Sequence, residues 1–500
     1  MAAEVELKLA LAPADVARLR RRLAAYATPV TEILDNIYFD TSDRLLARHR
    51  LGLRLRRQAS GWVQTLKAAG ADAALSRRGE WEMAVPLVHG KPRLALDRLG
   101  GTPLAELLAG HAGARLEPVF ETRFRRTRWE FDVDAARVEV ALDRGDVVAG
   151  AARAPILELE LELKAGAPAA LLKLALELAE GRGRQAPLVL LPATESKATR
   201  GYRLALGADP APAKAGAQAL GAPLDRALPA RVALRQVVNQ AAAVIAANER
   251  GMAGSIDPEF VHQARVALRR LRSAVRLLDA GRCFPPELLV ELRWLGGALG
   301  AARDADVRAI ETLPALLSQA QPAAPAGTAQ AWLARAEAER QVARQELLGQ
   351  LASPRYSCLA LRLLAWAHSP AEGHGPSVGK RAGKRLGRLQ ERLLQAADGL
   401  AELSAERLHR VRVEAKRLRY GIELLASGEE AAPWLAALAR VQSELGASRD
   451  AAACLAWIEA QATPAGADWA AACLQDQQNA AVSAAEQALA GLRRLKRWHF

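Results

Sequence analysis

Glu4, Glu6 and Lys8 alternate with Val5, Leu7 and Leu9, so a β-strand would turn two carboxylates and an ammonium to one side and an apolar row to the other. The arrangement returns where Glu158, Glu160, Glu162 and Lys164 alternate with Leu157, Leu159, Leu161 and Leu163. Between these two stretches, Arg54 and Arg56, Thr65 and Lys67, Glu80 and Glu82, Arg123 and Arg125, and Glu139 and Asp143 also occupy alternate positions. A single alternating strand ordinarily shows its charges to water. Repeated on strand after strand, the pattern fits a closed antiparallel barrel whose apolar rows face flanking helices and whose charges line a wet lumen. Carboxylates suit a divalent cation with oxygen ligands, and clustered Arg and Lys suit phosphate. Together they point to a metal-bound polyphosphate and to metal-assisted phosphoryl transfer to water, which needs no Ser or Cys nucleophile.

A second pattern lies further along. His262, Arg265, Arg269, Arg272 and Arg276 recur every three or four residues, and on a helix advancing about 100° per residue they form one basic stripe. His409, Arg412, Lys416 and Arg419 repeat it 147 residues later, and Leu299, Gly300, Arg303 and Asp304 recur as Leu445, Gly446, Arg449 and Asp450 after 146. Two features at nearly one offset imply duplicated helical bundles related by an approximate two-fold. Like charges one turn apart repel by about 0.2–0.5 kcal/mol per pair, so the stripes call for an anion. Lys380 and Lys384, with Arg381, Arg385 and Arg388, form a third basic cluster whose ordinary reading is a solvated face. No Gly-rich phosphate loop and no metal-spaced His/Asp cluster occurs in this half, which reads as a binding module.

The elements that must position these residues follow from periodicity. Residues 13–23 read as a helix, and residues 36–39, 51–57, 62–68, 78–85, 119–129, 130–133 and 137–143 as strands, with Trp81 and Trp129 packing on the outer wall. Tyr38 and Asp40 fit a strand end and turn equally well. Residues 206–228 are rich in Ala, Gly and Pro, a linker composition, and long Ala/Leu/Arg segments of helical period follow. The expected organisation is therefore an α+β domain at 1–205, a linker at 206–228, and an all-α domain at 229–500 with repeat halves at about 229–350 and 351–500.

The chain of 500 residues carries a net charge of +14, basic in both halves, which draws polyanions. Aromatic residues are only 4%, which argues against base-stacking readers of single-stranded nucleic acid. The absence of a long apolar run and of a leader-like start predicts a cytoplasmic chain with no membrane partner. Cys283, Cys358, Cys454 and Cys473 are too widely spaced for a metal knuckle and read as small buried apolar residues.

Glu4-x-Glu6-x-Lys8, Tyr38-Phe39-Asp40-Thr41, Leu53-Arg54-Leu55-Arg56, Thr65-Leu66-Lys67, Arg78-x-Glu80-Trp81-Glu82, the 158–164 strand and Ser196-Lys197-x-x-Arg200-Gly201-Tyr202 together resemble the CYTH domains of the triphosphate tunnel metalloenzymes over residues 1–205. The resemblance implies an eight-stranded tunnel in which Glu4, Glu6, Glu160 and Glu162, with Glu158 next, hold Mg2+ or Mn2+. It puts Lys8, Arg54, Arg56, Lys67, Arg123, Arg125 and Lys197 on the phosphate, and leaves Lys164 to bind phosphate or hold a carboxylate. Glu4, Glu6, Lys8, Arg54, Arg56 and Lys67 are its expected catalytic set. The repeated His/Arg motifs resemble the CHAD domain over residues 229–500, which implies two pseudo-symmetric four-helix bundles and inorganic polyphosphate bound along the basic stripes. The pair implies a Mg2+-dependent triphosphatase acting on inorganic tripolyphosphate, joined to a polyphosphate-binding module. The alternatives are a non-catalytic polyphosphate-binding or granule-associated protein, or a tunnel enzyme acting on nucleoside or thiamine triphosphate, as an adenylate cyclase or as a polyphosphate synthase.

Overall fold

The computed structural model describes residues 3–495 except 59–60, 69–74, 112, 182, 209–210, 216–222, 280–282, 320–323, 325–326, 370–374, 427 and 462–463. The chain divides into two units, residues 1–212 with 352–369 and residues 213–351 with 370–500.

The first unit is built on one antiparallel sheet. Its strands are β1 (Ala3–Leu11), β2 (Val30–Asp40), β3 (Leu51–Gln58), β4 (Gly61–Ala68), β5 (Leu75–Val85), β8 (Glu117–Val133), β9 (Ala136–Ala149), β10 (Ala152–Ala165) and β11 (Leu190–Pro192), with a small separate hairpin of β6 (Leu87–Val88) and β7 (Lys91–Pro92). The order is β10-β9-β8-β2-β3-β4-β5-β1-β11, and β1 also pairs with β10, so the sheet closes on itself. Residues 119–133, expected as two strands, form the single strand β8, which reverses into β9 at Asp134, whose φ is 52°.

Alternation then does what the sequence requires of it. Leu7, Leu9, Leu159 and Leu161 are fully buried on the outer face, as are Leu19 and Leu23 of α1 (Val16–Ala24) and Leu171 and Leu174 of α4 (Ala169–Glu180). Each such leucine contributes about 1.5–3 kcal/mol. Trp129 is buried on the same outer row and Trp81 packs on an apolar cluster there. The short α2 (Leu45–Arg48) and α3 (Pro103–Ala109) cover the cluster, and α5 (Lys197–Ala205) packs on β8, β9 and β10. Asp40 is wholly buried and accepts from the backbone N–H of Thr41, Leu46 and Ala47 at 2.7–3.0 Å, so its role is to hold α2.

The second unit is helical: α6 (Ala230–Gly254), α7 (Glu259–Leu278), α8 (Pro286–Asp306), α9 (Leu313–Gln319), α10 (Thr328–Leu351), α12 (Val378–Ala396), α13 (Ala405–Leu425), α14 (Ala432–Glu459) and α15 (Pro464–Arg494). Ser377 and Ser404 cap α12 and α13 by accepting from the N–H of Lys380 and Arg407. α7 packs on α6, α8 and α13, and α13 on α12 and α14. The intervening helix α11 (Pro354–His368) is in the first unit, lying on α4 and β11, where Ser357 Oγ donates to Leu190 O at 2.8 Å and accepts from Leu190 N at 3.0 Å. The segment expected as a linker also contributes structure, since Ala215 and Leu224 are buried in the second unit. All four cysteines are free; Cys454 is buried, whereas Cys283, Cys358 and Cys473 are half-buried. Among the described residues no helix is long and apolar enough to cross a membrane.

Candidate active site and anion groove

The closed sheet encloses a cavity of about 830 Å3. Strands β1–β5 and β8–β10 turn charge into it: Glu6 and Lys8 from β1, Glu32 from β2, Arg54 and Arg56 from β3, Lys67 from β4, and Glu80 and Glu82 from β5. On the other side stand Arg126 and Arg128 from β8, Glu139 from β9, and Glu160, Glu162 and Lys164 from β10. Lys197 enters from α5. The backbone of Glu4 shares the alternation of Glu6, while its side chain lies outside the described residues.

Arg123 and Arg125 are not in the cavity. Both are exposed on the outer wall, Arg123 pairing with Glu121 at 2.8 Å. Arginines fall on both phases of β8, so charge alone did not settle which phase faces inward. The aromatics decide it. Phe120 stacks on Tyr38 with centroids 4.5 Å apart, Phe124 lines the cavity, and Trp129 is buried on the outside. Placing Trp129 outward, as the sequence does, would by the same alternation have turned Arg126 and Arg128 inward. Gly201 allows α5 to close over this end: a Cβ there would come within 2.1 Å of the Phe120 ring.

Cations and carboxylates interlock across the lumen. Arg126 reaches Asp143 at 2.7 Å and Glu160 at 2.5 Å, Lys197 reaches Asp143 at 2.7 Å and Glu160 at 3.0 Å, and Lys197 also pairs with Glu158. Lys8 pairs with Glu6 and stands 3.8 Å from Glu160, and Lys67 lies 3.2 Å from Glu80. Lys164 reaches Glu162 at 2.8 Å and Glu139 at 3.7 Å. Burial alone would raise the pKa of Glu160, but Lys197, Arg126 and Lys8 outweigh it and hold the carboxyl well below its usual range. Burial and the neighbouring Arg54 and Arg126 pull Arg56 down to about 10. This crowding of guanidinium groups favours an anion between them. Asp143, Glu158 and Glu160 each bring a carboxylate oxygen within 4.8 Å of the others, a donor set that fits a hard divalent cation. Asp143, buried on β9, was legible only as one of many alternating charges.

In the second unit, α7 and α13 bring parts of the two stripes to one groove of about 800 Å3, lined by His262 and Arg269 from α7 and Arg412, Lys416 and Arg419 from α13, whereas the expected His409 is exposed and lines no part of it. Arg265 stands beside it, 3.8 Å from Asp304, which Arg449 approaches at 3.2 Å. Burial and the charges of Arg412, Arg269, Arg265 and Arg449 push Lys416 down to about 7. Arg272 and Arg276 continue along α7 outside this groove, and Lys380 and Lys384 are exposed on α12 and line no part of it. The buried face of α12 is formed by Ala382, Leu386 and Leu393, which leaves those two lysines in solvent.

The first unit thus closes a sheet around a lumen lined by charges of both signs, and the second sets basic helices beside one another. The chain accordingly carries a CYTH domain, matched over residues 2–202, and a CHAD domain, matched over residues 236–453. It is 34% identical over 169 residues to the inorganic triphosphatase of Haemophilus influenzae, a match spanning 33% of this chain and 46% of that protein, so less than half of the relative's length is covered. The crystal structure of the CHAD domain from the plant Ricinus communis is 32% identical, with a TM-score of 0.50 over 57% of this chain and 98% of that one.

Proposed function

We propose that the tunnel hydrolyses inorganic tripolyphosphate to pyrophosphate and phosphate with Mg2+, which Mn2+ can replace, and that the groove of the second unit binds inorganic polyphosphate. The observation that carries the reading is the interlocked buried network of Arg126, Lys197, Asp143, Glu158 and Glu160, which offers oxygen ligands and phosphate-binding cations side by side. Glu4, Glu6, Glu162 and the Asp143 cluster are the proposed metal side. Lys8, Arg54, Arg56, Lys67, Arg126, Arg128, Lys164 and Lys197 are the proposed phosphate side, replacing Arg123 and Arg125. A divalent cation held by these carboxylates would supply neutralisation of phosphate charge and a more acidic water; the chain's own cations orient the triphosphate in line and stabilise its developing charge. The inorganic substrate is supported by the likeness to the Haemophilus triphosphatase and by a lumen in which charged side chains far outnumber the aromatic rings of Tyr38, Phe124 and Tyr202 among the described residues.

The test is phosphate release by the full chain from tripolyphosphate, ATP, pyrophosphate and long-chain polyphosphate, with Mg2+ and with EDTA. Release from tripolyphosphate that EDTA abolishes is expected. No release from any substrate, with polyphosphate still bound, would replace the enzyme reading by a binding protein.

A further inference from the structure

The duplication allows one half of the helical unit to be compared with the other residue by residue. At the offset of 147 residues, Arg270 corresponds to Arg417, Arg272 to Arg419, and Arg276 to Glu423. In one setting the charges are balanced within the chain. Glu423 pairs with Arg270 and, at 2.8 Å, with Arg419, the Arg270 and Glu423 side chains being only 6% and 8% exposed. Arg270 also donates to Ala215 O at 2.6 Å, and Arg270, Arg419 and Glu423 form one wall of the His262/Lys416 groove, so that wall carries its own carboxylate.

In the related setting the place of Glu423 is taken by an arginine. Arg276 and Arg417 border a cavity of about 530 Å3, to which α12 adds Arg388 and Arg392. Among the described residues the one acidic side chain of its lining is Glu391, and Glu414 is engaged with Arg417. Arg385, also at the wall, is committed to the end of α7, donating to Leu277 O at 2.9 Å and Asp279 O at 3.4 Å. Burial, then the charges of Arg417 and Arg272, hold Arg276 below its usual pKa despite Glu414.

We propose that this cavity is a second anion site, separate from the His262/Lys416 groove, which takes a phosphate group where the other half of the fold places the carboxylate of Glu423. Guanidinium forks match phosphate oxygens bidentately, so the ligand class is inorganic phosphate, pyrophosphate or the end of a phosphate chain. The inference does not depend on what the groove or the tunnel binds.

Calorimetric titration of pyrophosphate into the full chain in EDTA tests it, with inorganic phosphate as the arm that shows whether one phosphate group suffices. Arg276→Glu, which rebuilds the charge pattern of the other half, is expected to bind one pyrophosphate fewer per chain and to unfold at a higher temperature than the unsubstituted protein in anion-free buffer. Lys416→Met, which alters only the groove, is expected to keep this site. Equal stoichiometry and affinity in Arg276→Glu and the unsubstituted protein would overturn the proposal. Should circular dichroism show Arg276→Glu misfolded, the pair Arg388→Ala and Arg392→Ala serves instead: binding at this site weakened about tenfold or more supports the site, and unchanged binding overturns it. A groove that failed to bind polyphosphate would leave these outcomes unaffected.

Discussion

Lys197 Nζ lies 2.7 Å from a carboxylate oxygen of Asp143, with Glu160 at 3.0 Å, inside the acidic cluster of the tunnel. Burial alone would lower its pKa, but Asp143, Glu158 and Glu160 reverse that and raise it. The ammonium thus balances the carboxylates that the proposed cation would share. Lys197→Met is expected to lower Tm in EDTA and to gain more Tm from Mg2+ than the unsubstituted protein does, because three carboxylates are then left facing one another. Equal Mg2+ increments in thermal denaturation would remove this cluster from the metal assignment.

Glu160 accepts from both Arg126 and Lys197. Glu160→Gln keeps the shape but removes a charge, and is expected to cut Mg2+-dependent phosphate release by about 100-fold, the upper range for weakened metal sites, with far-UV circular dichroism unchanged. Retained turnover would displace Glu160 from the metal side.

The phase of β8 makes a paired test. Arg126→Ala breaks a bidentate contact with Asp143 at 2.7–2.8 Å and the contact with Glu160, and should reduce kcat/KM by about 100-fold, in line with the loss of a charge-stabilising donor. Arg123→Ala and Arg125→Ala, on the exposed wall, should change it less than about twofold. The reverse ranking would mean that the lumen is misassigned.

Lys416 gives the groove a pH dependence. Its ammonium faces Arg412 on its own helix, Arg265 and Arg269 from α7, and Arg449 from α14, with a pKa near 7, whereas an unfolded lysine titrates near about 10.4. Between those limits the unfolded chain binds more protons, so this residue makes stability rise with pH from 7 upward. A bound polyanion favours the protonated form, so polyphosphate affinity should fall as pH rises from about 6 to about 9. Lys416→Met should flatten that profile; an unchanged slope would assign it elsewhere.

The guanidinium of Arg412 lies over Gly446, where a Cβ would come 2.9 Å from Nη2, and Arg265 lies over Gly300 in the repeat-related position, at 2.6 Å from Nη1. The absence of a side chain lets each stripe arginine cross the next helix. Gly446→Ala should weaken polyphosphate binding several-fold while leaving Tm equal or higher, since alanine is the better helix former by about 1 kcal/mol and the arginine tip can move aside. A loss of Tm without a loss of binding would make the glycine purely structural.

Residue order alone was enough to show the alternating charges of β1, β3, β4 and β10, the helical stripes at 262–276 and 409–419, and the repeat that pairs them. These depend on fixed periods of two and 3.6 residues, which act locally. Their convergence was not local. Arginine on both phases of β8 left its inward face to be chosen by the packing of Phe120 and Phe124 under α5. Asp143 joined the acidic cluster because β9 pairs with β10 in a register that sets it opposite Glu158. α11, internal to the helical half of the chain, folds against β11 through Ser357, and Arg276 left its stripe for another cavity. Each of these outcomes depended on which distant surface a side chain met, and that is decided only when the sheet closes and the helices cross.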